Sequence, residues 1–200
     1  CGAAASGTRD LKTPVPAMLA RASRGAAGEG SMIELRSTVH VDRINAQEIF
    51  DFLMHPTDAL YQRWWPGTHL HLHPVGDTDA TDSMRVHMDE FIGDRRVKMN
   101  GVVLEALPAR KIVWQLEKCI RLPVWLRLEL GDEDAGVTIV HTIRAGFAGI
   151  GRLLDPILRI YFSTKFERAM DEHVKAEFPK LRDMLRAEGR PPLNPVIRDA

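Results

Sequence analysis

Alternation of apolar and polar residues first becomes regular at Ile33, Leu35, Val39 and Val41, a period of two that predicts a half-buried strand over residues 33–42. The period then lengthens. Ile49, Phe50 and Leu53 share one helical face, Asn45 suits the N-cap, and Glu48 three residues on completes a capping-box spacing. His55-Pro56 ends this helix, and residues 56–65 read as a second short helix stopped by Pro66-Gly67. Six strand-like segments follow, at 68–75, 83–92, 95–104, 111–117, 123–130 and 137–147, each closed by turn residues such as Gly76-Asp77 and Gly93-Asp94. Residues 131–136 read as a hairpin turn. Consecutive strands on short turns imply an antiparallel meander.

The C-terminal region is helical. Asp155 can cap and Pro156 can take the first helical position. Leu158, Phe162, Phe166, Met170, Val174 and Phe178 recur every four residues, and Leu181 and Leu185 extend the stripe. This predicts one amphipathic helix of about thirty residues, kinked at Pro179 and ended by Gly189 and Pro191-Pro192. The expected fold is α+β: a curved seven-stranded antiparallel sheet wrapped on a long C-terminal helix, with two short helices after the first strand. A bent sheet clasping a helix leaves room for a ligand cavity.

Residues 1–31 are rich in Ala and Gly, and they read as a flexible tail before a ligand-binding domain at 32–188 and a C-terminal tail at 189–200. Cys1 suggests either a lipid-bearing mature N-terminus or, the favoured reading, a chain whose natural start is Met32, hence a cytoplasmic protein. With 27 basic and 27 acidic residues the formal charge is zero, so no global field favours nucleic acid. Arg95, Arg96 and Lys98 alternate with Val97 and Met99 as the wet face of a strand. No apolar run is long enough for a membrane helix. Two cysteines, Cys1 and Cys119, exclude a disulfide scaffold or a Cys-pair zinc site. Dinucleotide, Walker and nucleophile-elbow motifs are absent, and no cofactor is implied.

The segments 33–42, the helical pair ending in Arg63-Trp64-Trp65-Pro66-Gly67, and 151–185 together resemble the START-like, or SRPBCC, superfamily with its helix-grip fold, most of all the polyketide cyclase/dehydrase and lipid-transport branch. The resemblance covers residues 32–187 and implies a hydrophobic ligand cavity. It carries no universal catalytic motif.

Candidate chemistry is sparse. Strict alternation places His69, His71 and His73 on one face and Leu70 and Leu72 on the other. The leucines are the natural core pair, which sends the histidines to solvent. A metal on His69 and His71, with His87 or Asp89 as third ligand, is the minority reading. His141, in phase with Val137, Ile139 and Ile143, is expected to face the cavity, with Glu90 as its possible acid–base partner; the residues fix no catalytic pair. One of Trp64 and Trp65 is expected to plug the core and the other to flank the cavity mouth. Met88, Trp114 and Ile139 from the sheet, and Leu158, Tyr161, Phe162 and Lys165 from the last helix, complete the expected ligand contacts. The reading is a binding protein for a hydrophobic small molecule of the lipid, polyketide, quinone or isoprenoid class. The alternatives are a cyclase/dehydratase-type enzyme using the same cavity, or a protein-interaction domain.

Overall fold

In the computed structural model, which describes residues 32–76, 84–118, 120–147, 149–187 and 189, all seven strands join one antiparallel sheet in the order β1-β7-β6-β5-β4-β3-β2. The strands are β1 (Ile33–Asp42), β2 (His69–Pro74), β3 (Arg85–Ile92), β4 (Arg95–Leu107), β5 (Lys111–Lys118), β6 (Ile120–Glu133) and β7 (Gly136–Ala145). From β2 to β7 the sheet is a meander, and β1 pairs with β7, from Ile33 opposite Ala145 to Asp42 opposite Gly136. At that last pair a side chain is impossible: a Cβ on Gly136 would sit 2.2 Å from the Val41 carbonyl oxygen. The predicted loop at 131–136 shrinks accordingly, because β6 runs on to Glu133.

The helical pair after β1 is α1 (Ala46–Met54) and α2 (Asp58–Trp64). Asn45 and Glu48 form the reciprocal capping box, and the Thr57 hydroxyl caps α2. The last helix differs from expectation. A short 3-10 turn (Gly149–Leu154) leads into α3 (Asp155–Tyr161), and the chain breaks at Phe162-Ser163 before α4 (Thr164–Ala187). Asp155 does not cap α3; its carboxylate accepts a hydrogen bond from the Phe147 N–H at 3.0 Å. The apolar stripe therefore belongs to two helices. Phe166, Met170, Val174, Phe178, Leu181 and Leu185 are buried on α4, whereas α3 buries none of its residues. Pro179 lies within α4.

The core lies between the sheet's concave face and α4, with Ile49, Ile112, Ile139, Val137, Val174 and Leu181 at its centre. At its C-terminal end α4 is tied to α1. Arg186 makes a two-pronged contact with the Glu48 carboxylate, both at 2.8 Å, and donates to the Arg43 carbonyl. The expectations for residues 1–31 and 190–200, and for Cys119, lie outside the described residues.

Candidate functional site

One extra residue in β2 decides where the histidines go. His69 pairs with Glu90, but the next pair is His71 with Asp89, so Leu70 is a bulge. The bulge reverses the phase of the strand: His69 and Leu72 face inward, while His71 and His73 face outward. His69 is thus 1% exposed, which corrects the expectation of three solvent-facing histidines. Leu70 leaves the core and is half-buried, its carbonyl accepting from the Gln62 side chain at 2.7 Å.

Inside, His69 meets Glu90 from β3 and His173 and Glu177 from α4, all four buried. His69 Nε2 lies 3.7 Å from Glu90 Oε2 and 3.6 Å from Glu177 Oε2. His173 Nε2 lies 3.7 Å and 3.1 Å from the same two oxygens. Despite these distances, neither ring nitrogen of His69 nor Nε2 of His173 makes an aligned hydrogen bond among the described residues. Tyr61 of α2 donates its hydroxyl to Glu90 Oε2. The Tyr61 ring also stacks on His69 at 4.0 Å. Trp65 stacks on His173 at 4.9 Å, and the Trp64 indole N–H donates to the Glu177 carbonyl at 2.6 Å.

The electrostatics follow from this packing. Burial opposes a charge on His173, but its polar contacts with Glu177 and Glu90 outweigh that cost and raise its pKa. Burial likewise disfavours the Glu177 carboxylate, yet the contacts with His173 and His69 hold its pKa low. Burial, then the charge of Glu90, pushes the Tyr61 hydroxyl well above its ordinary value.

Beside this cluster a cavity of about 100 Å³ opens between sheet and α4. Its walls are mostly apolar, with Leu72, Met88, Met99, Leu126 and Phe178 among them, and Glu90, His141 and Glu177 supply titratable groups. A second space of about 60 Å³ shares Met88, Glu90, His141 and Glu177 with the first and reaches Tyr161, Phe162 and His173. Burial pushes the His141 pKa down, which favours the neutral imidazole.

The expected contact residues separate in this geometry. Trp64, Met88, Trp114 and His141 line the larger cavity, and Tyr161 and Phe162 the smaller. Ile139 is instead fully packed in the core. Lys165 points away and pairs at the surface with Asp94 at 2.7 Å. Leu158 sits half-buried on α3, and Trp65 covers His173 without touching either cavity.

The minority metal set also dissolves. His71 and His73 both contact Asp58, at 2.9 and 2.8 Å. His87 pairs with the Asn100 side chain and Asp89 with Arg96. Neither joins His69. The residues missed by sequence reasoning are His173, Glu177 and Tyr61. One signal was present: His173 and Glu177 are four apart, one step before Val174 and Phe178 of the apolar stripe.

No family model matches this sequence, and no curated protein matches it. Solved structures share its fold. One is a protein of unknown function from Staphylococcus aureus, with 8% identity and a TM-score of 0.52, covering 80% of this chain and 96% of that one. A protein from Thermus thermophilus has 13% identity and a TM-score of 0.51, with 79% and 100% covered. The di-domain ARO/CYC BexL, from the BE-7585A biosynthetic pathway, has 20% identity and a TM-score of 0.52 over 80% of this chain. The present chain spans about half of that di-domain protein, 51% of its length. At these identities the likeness is one of fold, the helix-grip fold with its curled sheet and C-terminal helix. Among the described residues no helix is long and apolar enough to cross a membrane.

Proposed function

We propose that this protein binds a hydrophobic small molecule of the quinone, polyketide, isoprenoid or lipid class in the cavity between the sheet and α4. The observation that carries the reading is the cavity itself: apolar walls with Glu90, His141 and Glu177 as its titratable groups. Apolar burial supplies affinity at roughly 25 cal/mol per Å², and one polar contact fixes orientation. At about 100 Å³ the space is smaller than an engineered apolar cavity of roughly 150 Å³ that takes up benzene, so a single ring enters with some movement of the walls. Met88 and Met99 in the wall give it some freedom to adapt to a longer guest.

The test compares p-cresol with toluene by calorimetry and by the fluorescence of Trp64 and Trp114. We expect both to bind and p-cresol to bind more tightly, because its hydroxyl has partners in the cavity. Met99→Trp, which fills the space, abolishes both. Binding that survives Met99→Trp, or no binding of either probe, defeats the reading.

The same scaffold could support cyclase/dehydratase-type turnover, and one observation favours this second reading: Glu90 and His141 share a cavity wall. A linear poly-β-ketone incubated with the protein would then join one methylene carbon to a ketone carbonyl and lose water to give an aromatic ring product, seen by mass spectrometry and lost in His141→Ala. Unchanged substrate rejects it.

A further inference from the structure

We infer that His69, Glu90, His173 and Glu177 form a buried binding site for one divalent transition-metal ion. The inference goes beyond the proposed cavity function and stands whether or not the cavity takes an apolar guest.

Geometry comes first. A tetrahedral ion bound at about 2.0–2.1 Å to nitrogen and oxygen sets its ligand atoms about 3.3–3.4 Å apart. The four imidazole-to-carboxylate distances here are 3.1, 3.6, 3.7 and 3.7 Å. All four ligand atoms lie within 4.8 Å of one another. They come from three elements, β2, β3 and α4, so the fold itself assembles the set.

The second observation is independent. The His69 side chain is fully buried, and among the described residues both its ring nitrogens lack an aligned hydrogen bond, as does Nε2 of His173. Buried polar nitrogens are costly to leave unpaired, so such groups call for a partner. Each Nε2 faces the two carboxylates without the alignment of a hydrogen bond to either. A cation between them would give both Nε2 atoms and both carboxylate oxygens a bond.

Charge agrees. Ionised Glu90 and Glu177 contribute two negative charges to a buried space, and a divalent ion with two neutral imidazoles makes the cluster neutral. The donor set also selects the ion. Calcium and magnesium want six or more oxygens and octahedral or larger shells. Two nitrogens and two oxygens suit zinc, cobalt or ferrous iron.

The surroundings hold the ligands in place. Tyr61 donates to the Glu90 oxygen that faces both imidazoles and stacks on His69 with planes 8° apart. Trp65 stacks on His173 with planes 24° apart. Ligand imidazoles ordinarily donate their second N–H to an outer partner. His69 Nδ1 has none among the described residues, so stacking fixes that ring instead.

The experiment uses the full chain, stripped with EDTA and titrated with Zn²⁺ by calorimetry and with Co²⁺ by visible absorption. One ion per chain with the intense bands of tetrahedral Co²⁺ is expected. His173→Gln and Glu177→Gln abolish binding, and Tyr61→Phe weakens it roughly 10–100-fold. The double variant His71→Ala/His73→Ala leaves it unchanged. Should the Gln variants fail to fold, zinc X-ray absorption on the unaltered protein decides: a first shell of four light atoms, including two imidazoles, supports the site. Sub-stoichiometric binding, a six-coordinate Co²⁺ spectrum, or loss only in the His71/His73 variant overturns it. Failure to bind p-cresol bears on the cavity reading alone.

Discussion

Two histidine clusters grow from the same five residues of β2, and they differ in almost every physical respect. His71 and His73 share Asp58 at the surface, with side chains 45%, 42% and 38% exposed. His69, one pleat away, sits in the interior with two carboxylates and a second imidazole. Water screens the first cluster and satisfies its spare donors and acceptors, so its geometry is weakly constrained and its contribution small. The second has no such solvent. Each charge there must be balanced by a neighbour, and each ring is wedged by aromatic packing. Residue type therefore says little about the role of a histidine; the side of the sheet it reaches says much more.

The contrast is sharpest when a partner is removed. In metal-free protein, His173→Leu leaves the Glu177 carboxylate buried beside one fewer imidazole. It should cost about 3–5 kcal/mol in urea unfolding. The double change His173→Leu/Glu177→Leu should recover most of that loss, because neither unpaired charge remains. If the single and double variants are equally unstable, the interior cluster behaves as plain packing and the comparison collapses.

A smaller effect is expected at its edge. Tyr61→Phe removes the hydroxyl donor to Glu90 and keeps the ring that stacks on His69. The expected loss is about 1–3 kcal/mol, since a buried acceptor is stranded. An unchanged unfolding midpoint would show that Glu90 finds another donor at no cost.

The surface cluster should respond to pH. Burial is the largest single influence on the Asp58 carboxylate and disfavours it, but hydrogen bonds with His71, His73 and the Leu72 N–H together outweigh this and lower its pKa from the ordinary value. A depressed carboxylate stabilises the fold above its unfolded pKa and loses that contribution as pH falls through the lower folded value. The stability gap between the unaltered protein and Asp58→Asn should thus shrink as the pH falls below about 4. A gap that widens on acidification contradicts the assignment. Least of all, His73→Ala should shift stability by no more than about 0.5 kcal/mol, as exposed substitutions do.

Much of this architecture could be read from residues alone. The period-two segment at 33–42 and six runs closed by turn residues located all seven strands, and Asn45 with Glu48 marked the start of α1 through a reciprocal cap. These are local rules, fixed within a few residues of chain. The interior cluster depends on contacts that sequence spacing does not carry. Strict alternation puts His69 outside because a bulge at Leu70 costs one unpaired residue and announces itself by no Gly or Pro. The break at Phe162-Ser163 is hidden for a related reason, since an unbroken four-residue repeat runs across it. His173 and Glu177 lie in plain view at helical spacing, but their meaning requires β2 and β3 opposite them.

The clasp between Arg186 and α1 has a mechanical corollary. It pins α4 at its C-terminal end, whereas the 3-10 turn and α3 that precede α4 carry Leu153, Ile157 and Ile160 bare to solvent, at 81%, 62% and 77%. Near the other end Lys165 pairs with Asp94 at 2.7 Å and Arg95 donates to the Tyr161 carbonyl at 3.0 Å, so α4 is braced at both tips and not hinged at one.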